Sequence, residues 1–93
     1  MPKAEWNGAV IAQDDEPVSV EGNPYFSRAS LVEAHFEASD HTSVCPWKGT
    51  AKYLHVTVNG ERNENAAWYY PTPKDAAAQI KDRVAFWRGV TVR

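Results

Sequence analysis

His41, Cys45 and Lys48 fall inside one short stretch, Ser39 to Thr50, with Trp47 beside them. The thiolate is the reactive form of cysteine, and a neighbouring base or cation favours it. With Cys45 as nucleophile or redox thiol, His41 four residues back would serve as base and Lys48 three residues on would stabilise negative charge. Plain packing is the competing reading, because free cysteine is among the most buried residue types. A metal held by Asp40, His41 and Cys45 is the next idea. Structural zinc takes four ligands and catalytic zinc three, and three histidines and one cysteine spread along the chain do not assemble such a set. No metal and no cofactor is expected.

Lys48 and Arg28 are candidates for binding an anionic group, lysine as a point charge and arginine as a planar fork. Lys48 has the stronger claim, since Trp47 and Gly49 give it an aromatic on one side and open backbone on the other. Trp47, Tyr53, Trp68 and Tyr70 supply the rings for an aromatic ligand wall. Core filling by large rings competes with that reading and fits a small domain well. Tyr53 and Trp68 are the preferred pocket residues.

These groups need a scaffold, and the chain reads as short strands. Asn7-Gly8 and Asn59-Gly60 are strong two-residue hairpin turns, because both residue types tolerate positive φ. The first joins Ala4–Trp6 to Ala9–Ala12, and the second joins Ala51–Val58 to Ala66–Tyr70, with Glu61 to Asn65 available to lengthen the connection. Val18–Glu21 and Val32–Ala38 alternate as strands. In Ala51–Val58 the alternation puts Leu54, Val56 and Val58 on the core side, with Tyr53, His55 and Thr57 opposite. Ser39 to Thr50 reads as turn-like. Lys74 to Ile80, with three alanines behind Pro73, is the one good helix candidate. Val84–Trp87 and Val90–Val92 close the chain as strands. The expectation is one domain over residues 1–93, mainly β and antiparallel, with one short C-terminal helix.

Composition narrows the function classes. Of 93 residues, 43% are apolar and 24% charged, as in an ordinary globular domain. A net charge of -2 offers no overall field for nucleic acid or an anionic membrane. The basic tail residues Lys74, Lys81, Arg83, Arg88 and Arg93, interleaved with Phe86 and Trp87, are diluted by Asp75 and Asp82 and read as a solvated face. No apolar run approaches the roughly 20 residues of a membrane span, and no signal-peptide core is evident, so a cytoplasmic protein is expected. One cysteine cannot close an internal disulfide.

Cys45-Pro46-Trp47-Lys48-Gly49-Thr50-Ala51 with Tyr53, then Asn65-Ala66-Ala67-Trp68-Tyr69-Tyr70-Pro71 and Val84-Ala85-Phe86-Trp87, resemble the family catalogued as domain of unknown function 427, also labelled nucleotidyltransferase-like. Trp6-Asn7-Gly8 and Val20-Glu21-Gly22-Asn23 with Tyr25-Phe26 extend the resemblance over essentially the whole chain. The family pattern usually has proline after the Tyr-Phe pair, where this chain has Ser27. The resemblance implies a β-tent: two antiparallel sheets pinned at one end, with a pocket between. Other β-tent proteins hold zinc on two cysteine pairs, which a single cysteine does not supply. Nothing here matches a glycine-rich phosphate loop or a paired-carboxylate metal site.

Two readings of function follow. The first is a binding module whose pocket lies between the sheets, walled by Tyr53, Trp68 and Tyr70, with Lys48 and Cys45 at its rim and Trp47 and Arg28 as further ligand contacts. Its partner would be a small molecule, with no nucleic acid or membrane, and the protein a monomer or weak homodimer. The alternative is a small enzyme working through Cys45, His41 and Lys48. A weaker third reading is a protein-interaction domain that presents its aromatic surface.

Overall fold

Both Asn-Gly pairs make tight hairpins. Asn7 and Gly8 have φ of 50° and 80°, Asn59 and Gly60 of 51° and 79°. Positive φ at both central residues gives the turn whose twist matches that of the flanking strands. The computed structural model describes residues 2–93. In it the strands are β1 (Lys3–Trp6), β2 (Ala9–Gln13), β3 (Val18–Val20), β4 (Asn23–Tyr25), β5 (Phe36–Cys45), β6 (Gly49–Val58), β7 (Glu61–Tyr69), β8 (Val84–Phe86) and β9 (Thr91–Val92). They form antiparallel sheets in the orders β2-β1-β9, β3-β4 and β5-β6-β7-β8. The protein is mainly β, as its alternating pattern requires.

The C-terminal helix is a correction. Asp75–Ile80 forms 3-10 turns broken at Ala77, whose φ of -121° and ψ of 22° are not helical. Six residues are too few for a self-sustaining α-helix, whatever their alanine content. Packing decides instead: Ala77 and Ile80 are both buried, and a spacing of three brings them to one side of a 3-10 turn. Val32–Ala38 is also corrected, since Glu33–His35 is a 3-10 turn and the strand begins only at Phe36. The stretch from Ser39 to Cys45 is strand rather than turn. It belongs to β5, which lies at the sheet edge; the ladder to β6 passes from Ala38–Leu54 to Thr42–Lys52, so residues 39–41 bulge out of register and the polar residues face solvent. The turn proper is Pro46-Trp47-Lys48, between Cys45 and its register partner Gly49.

The four-stranded sheet carries a different core on each face. Leu54, Val56 and Val58 join Phe26, Ala67, Val84 and Phe86 in an aliphatic and phenyl cluster, which also takes Ala4, Ile11 and Ala12 from the three-stranded sheet. Phe26 and Phe86 meet edge to face at 5.4 Å. On the opposite face Tyr25, Ala51, Tyr70, Ala77, Ile80 and Ala85 form a second cluster, with Tyr53, Trp68 and Cys45 against it. Ser27 shows why proline would not serve at its position. Its backbone N–H donates to Asp14 Oδ2 at 2.8 Å, a bond proline lacks the hydrogen to make. No helix among the described residues is long and apolar enough to cross a membrane.

Candidate functional site

Tyr53 and Trp68 are direct register partners on β6 and β7, so their rings stand side by side on the second face. Tyr70 follows two residues after Trp68 and is buried against the same cluster. Trp87, just beyond β8, meets Trp68 edge to face at 5.9 Å and lies 6.4 Å from Tyr53. Its indole N–H donates to the Asn65 carbonyl, and its backbone N–H to the Ala66 carbonyl at 3.0 Å. Trp68 donates through its own indole to the Tyr25 hydroxyl at 3.2 Å. Tyr53 shares a 2.8 Å hydrogen bond with Ser43. Lys48, Tyr53, Trp68, Tyr70 and Trp87 together line an open cavity of about 190 Å³.

Lys48 is the unusual member. It is 7% exposed and is the buried charged residue of the described chain. Burying an ammonium costs free energy unless it is paired. Glu21 supplies the pairing, with Oε1 at 2.5 Å from Nζ. The ammonium also lies 5.2 Å from the Trp47 ring centre and 5.6 Å from that of Tyr70, so the π faces add to its stabilisation. Burial alone would lower the Lys48 pKa. The Glu21 hydrogen bond, aided by the Tyr25 and Tyr70 phenols, outweighs it and leaves lysine above its ordinary value. In turn the Lys48 hydrogen bond holds Glu21 below the usual carboxylate range. Burial pushes the Tyr70 hydroxyl up, against the opposing pull of Lys48.

Local backbone fixes this arrangement. Gly49 has φ of 114°, and a Cβ there would sit 3.4 Å from the Thr72 carbonyl oxygen. Glycine thus lets the 71–74 segment close over the turn, where Lys74 N–H donates to the Lys48 carbonyl at 2.9 Å. Lys74 Nζ caps the Pro46 carbonyl at 2.7 Å. Glu21 and Gly22 form the β3–β4 turn with φ of 53° and 79°, and this tight tip presents the carboxylate to Lys48.

A family model described as Domain of unknown function (DUF427), named NTP_transf_9, matches residues 2–92. The chain belongs to that family. A search of curated proteins finds no match for it.

The DUF427 chain gathers some of the sequence candidates and separates others. Lys48, Tyr53, Trp68 and Tyr70 meet at one cavity, and Trp47 lies under the Lys48 ammonium with its ring half exposed. Cys45 is partly buried against the same cluster. His41 packs against Tyr53 with ring centres 4.6 Å apart and planes tilted by 56°. Four residues of extended β5 put about 13 Å between the His41 and Cys45 backbones, too far for a direct base–thiol pair. Arg28 lies on the other side of the sheet, over the Tyr69 ring at 4.7 Å. Among the described residues no group of three or more His, Cys, Asp or Glu side chains could hold a metal ion. The DUF427 chain adds Glu21 and Trp87, which sequence reasoning missed. Alternation along Val84–Trp87 holds the signal for Trp87, since Phe86 on the core side turns its neighbour outward. Nothing local marks Glu21, which is 27 residues from its partner.

Proposed function

We propose that this DUF427 protein binds a small planar molecule bearing a hydrogen-bond acceptor, its ring among Tyr53, Trp68, Tyr70 and Trp87 and its acceptor on Lys48. The observation that carries the reading is the buried ammonium on an aromatic cavity. Lys48 has three donors, and Glu21 accepts one of them. The Trp47 and Tyr70 π faces hold the ammonium without supplying a conventional acceptor, so a guest's acceptor would gain one of its remaining N–H groups. The cavity offers about 190 Å³ open to solvent, against the roughly 150 Å³ of a sealed apolar site that admits benzene. A single ring with a small polar substituent fits it. The binding reading gains over the Cys45 enzyme because His41 packs against the Tyr53 ring rather than beside the thiol.

We read the architecture as β-tent-like, supported by the three- and four-stranded sheets that close over one aliphatic core. The aromatic cavity then opens on the outer face of the larger sheet, toward the β3–β4 hairpin, rather than between those two sheets.

The test is a titration with benzoate followed by tryptophan fluorescence. Saturable quenching is expected, and Tyr53→Ala or Trp68→Ala should weaken it at least about tenfold, the loss of a base-like stacking partner. Quenching that stays linear to high benzoate, or is unchanged in both variants, contradicts the reading.

A further inference from the structure

The other face of the four-stranded sheet holds a second cavity, of about 350 Å³, which no part of the aromatic site reaches. Its floor is the Leu54 face of β6 with Phe36 from β5 and Tyr69 from β7, and its lip is the segment carrying Arg28, Leu31 and Glu33. This volume lies within the range of small-molecule pockets, which begins near roughly 300 Å³. Aliphatic and aromatic side chains share the lining about equally with polar surface, and charge is confined to Arg28 and Glu33.

Arg28 is held in place without being neutralised. Its guanidinium lies 4.7 Å from the centre of the Tyr69 ring. Among the described residues it has no carboxylate within ion-pair distance, although Glu33 lines the same cavity. Stacking on an aromatic face restrains the planar fork and leaves its in-plane N–H groups free. Such a fork takes a carboxylate in two parallel hydrogen bonds. The adjoining Leu31, Phe36 and Leu54 would cover an apolar body of the same ligand.

We infer that this cavity is a second ligand site, for a small apolar molecule carrying a single carboxylate that docks on Arg28. Glu33 at the lip restricts the ligand to one negative charge, since a further anionic group would meet it. The site does not depend on the aromatic pocket, because the two lie on opposite faces of one sheet and share no lining residue.

The experiment is a ¹H–¹⁵N titration of the whole chain with 3-phenylpropionate and, separately, with its uncharged analogue 3-phenyl-1-propanol. Saturable shifts are expected at Leu31, Phe36, Leu54 and Tyr69, with the Trp68 and Trp87 indole signals unmoved. The alcohol should bind at least about tenfold more weakly, as the loss of a charge-assisted hydrogen bond requires. Arg28→Gln should bring the acid down to the level of the alcohol. Arg28 is exposed, so the dispersion of the variant's spectrum will show that its fold is kept. Glu33→Gln should tighten binding of the acid by removing a like charge. Equal binding of acid and alcohol, indifference to Arg28→Gln, absence of saturable shifts, or weaker binding on Glu33→Gln each overturns the proposal. The last would point to a zwitterion instead. Movement confined to the two indoles would assign the acid to the aromatic pocket and likewise overturn this site.

Discussion

The two faces of the four-stranded sheet are built from different materials. One face is aliphatic and phenyl: Leu54, Val56, Val58, Phe26 and Phe86 are all under a tenth exposed and carry no polar atom to satisfy. The other is made of Tyr25, Tyr53, Trp68, Tyr70 and Trp87 around a buried ammonium, and each side-chain hydroxyl or indole that bonds does so to a particular partner. Apolar burial is non-directional and needs only volume. A buried polar network needs geometry, and each unmet donor costs free energy. The first face therefore accounts for folding with few constraints. The second buries a lysine whose desolvation must be offset by Glu21 and two π faces, and this is where we propose that the ligand sits.

Adjacent residues allow the contrast to be broken. Phe86 is buried between Phe26 and Phe36, whereas Trp87 is 43% exposed at the edge of the aromatic cavity. Phe86→Ala should cost about 3–5 kcal/mol in urea unfolding, as expected for a phenyl removed from a core. That is a large share of the roughly 5–15 kcal/mol stability of a small domain. Trp87→Ala should cost about 1–2 kcal/mol, in line with its partial burial. Equal losses would mean that the second face is as much a folding core as the first.

A smaller effect concerns Glu21. Its folded pKa lies below the ordinary 4.5, so its contribution is present above that value and fades as pH falls through the folded one. Lys48 lies above the ordinary 10.5, so its contribution is present below that value and fades as pH rises through the folded one. The difference in urea midpoint between the native chain and Glu21→Gln should thus be flat near neutrality and shrink at both extremes. A difference independent of pH would remove the ion pair from the account. The smallest expected change is Tyr53→Phe, which deletes the bond to Ser43 and should cost about 0.5–1.5 kcal/mol by the same unfolding assay.

Much of the aliphatic face was legible because its signals are local. Alternation in Ala51–Val58 placed Leu54, Val56 and Val58 inward, and the two Asn-Gly turns set their hairpins. The aromatic face was legible only in part. Period two set Trp68 with Tyr70, but the partnership of Tyr53 with Trp68 comes from strand register, which no single segment encodes. Ser39 to Cys45 is as polar as a connecting turn, yet it runs as an edge strand with a bulge. On an edge strand, polar residues carry no such meaning. The alanines of 76–78 favoured an α-helix that burial of Ala77 and Ile80 reshaped into 3-10 turns. Glu21 stayed hidden because an ion pair spanning 27 residues leaves no trace in spacing.

The central claim is that Lys48 serves a ligand more than the fold, and Lys48→Met tests it in one variant with two readouts. Methionine keeps the length and apolar stem, and Glu21, with its side chain 54% exposed, returns to solvent when its partner goes. The account predicts a urea midpoint close to that of the native chain and benzoate binding weakened at least about tenfold, the loss of a charge-assisted hydrogen bond. A variant that unfolds readily, or that still binds benzoate as the native chain does, would make Lys48 part of the fold and contradict the claim.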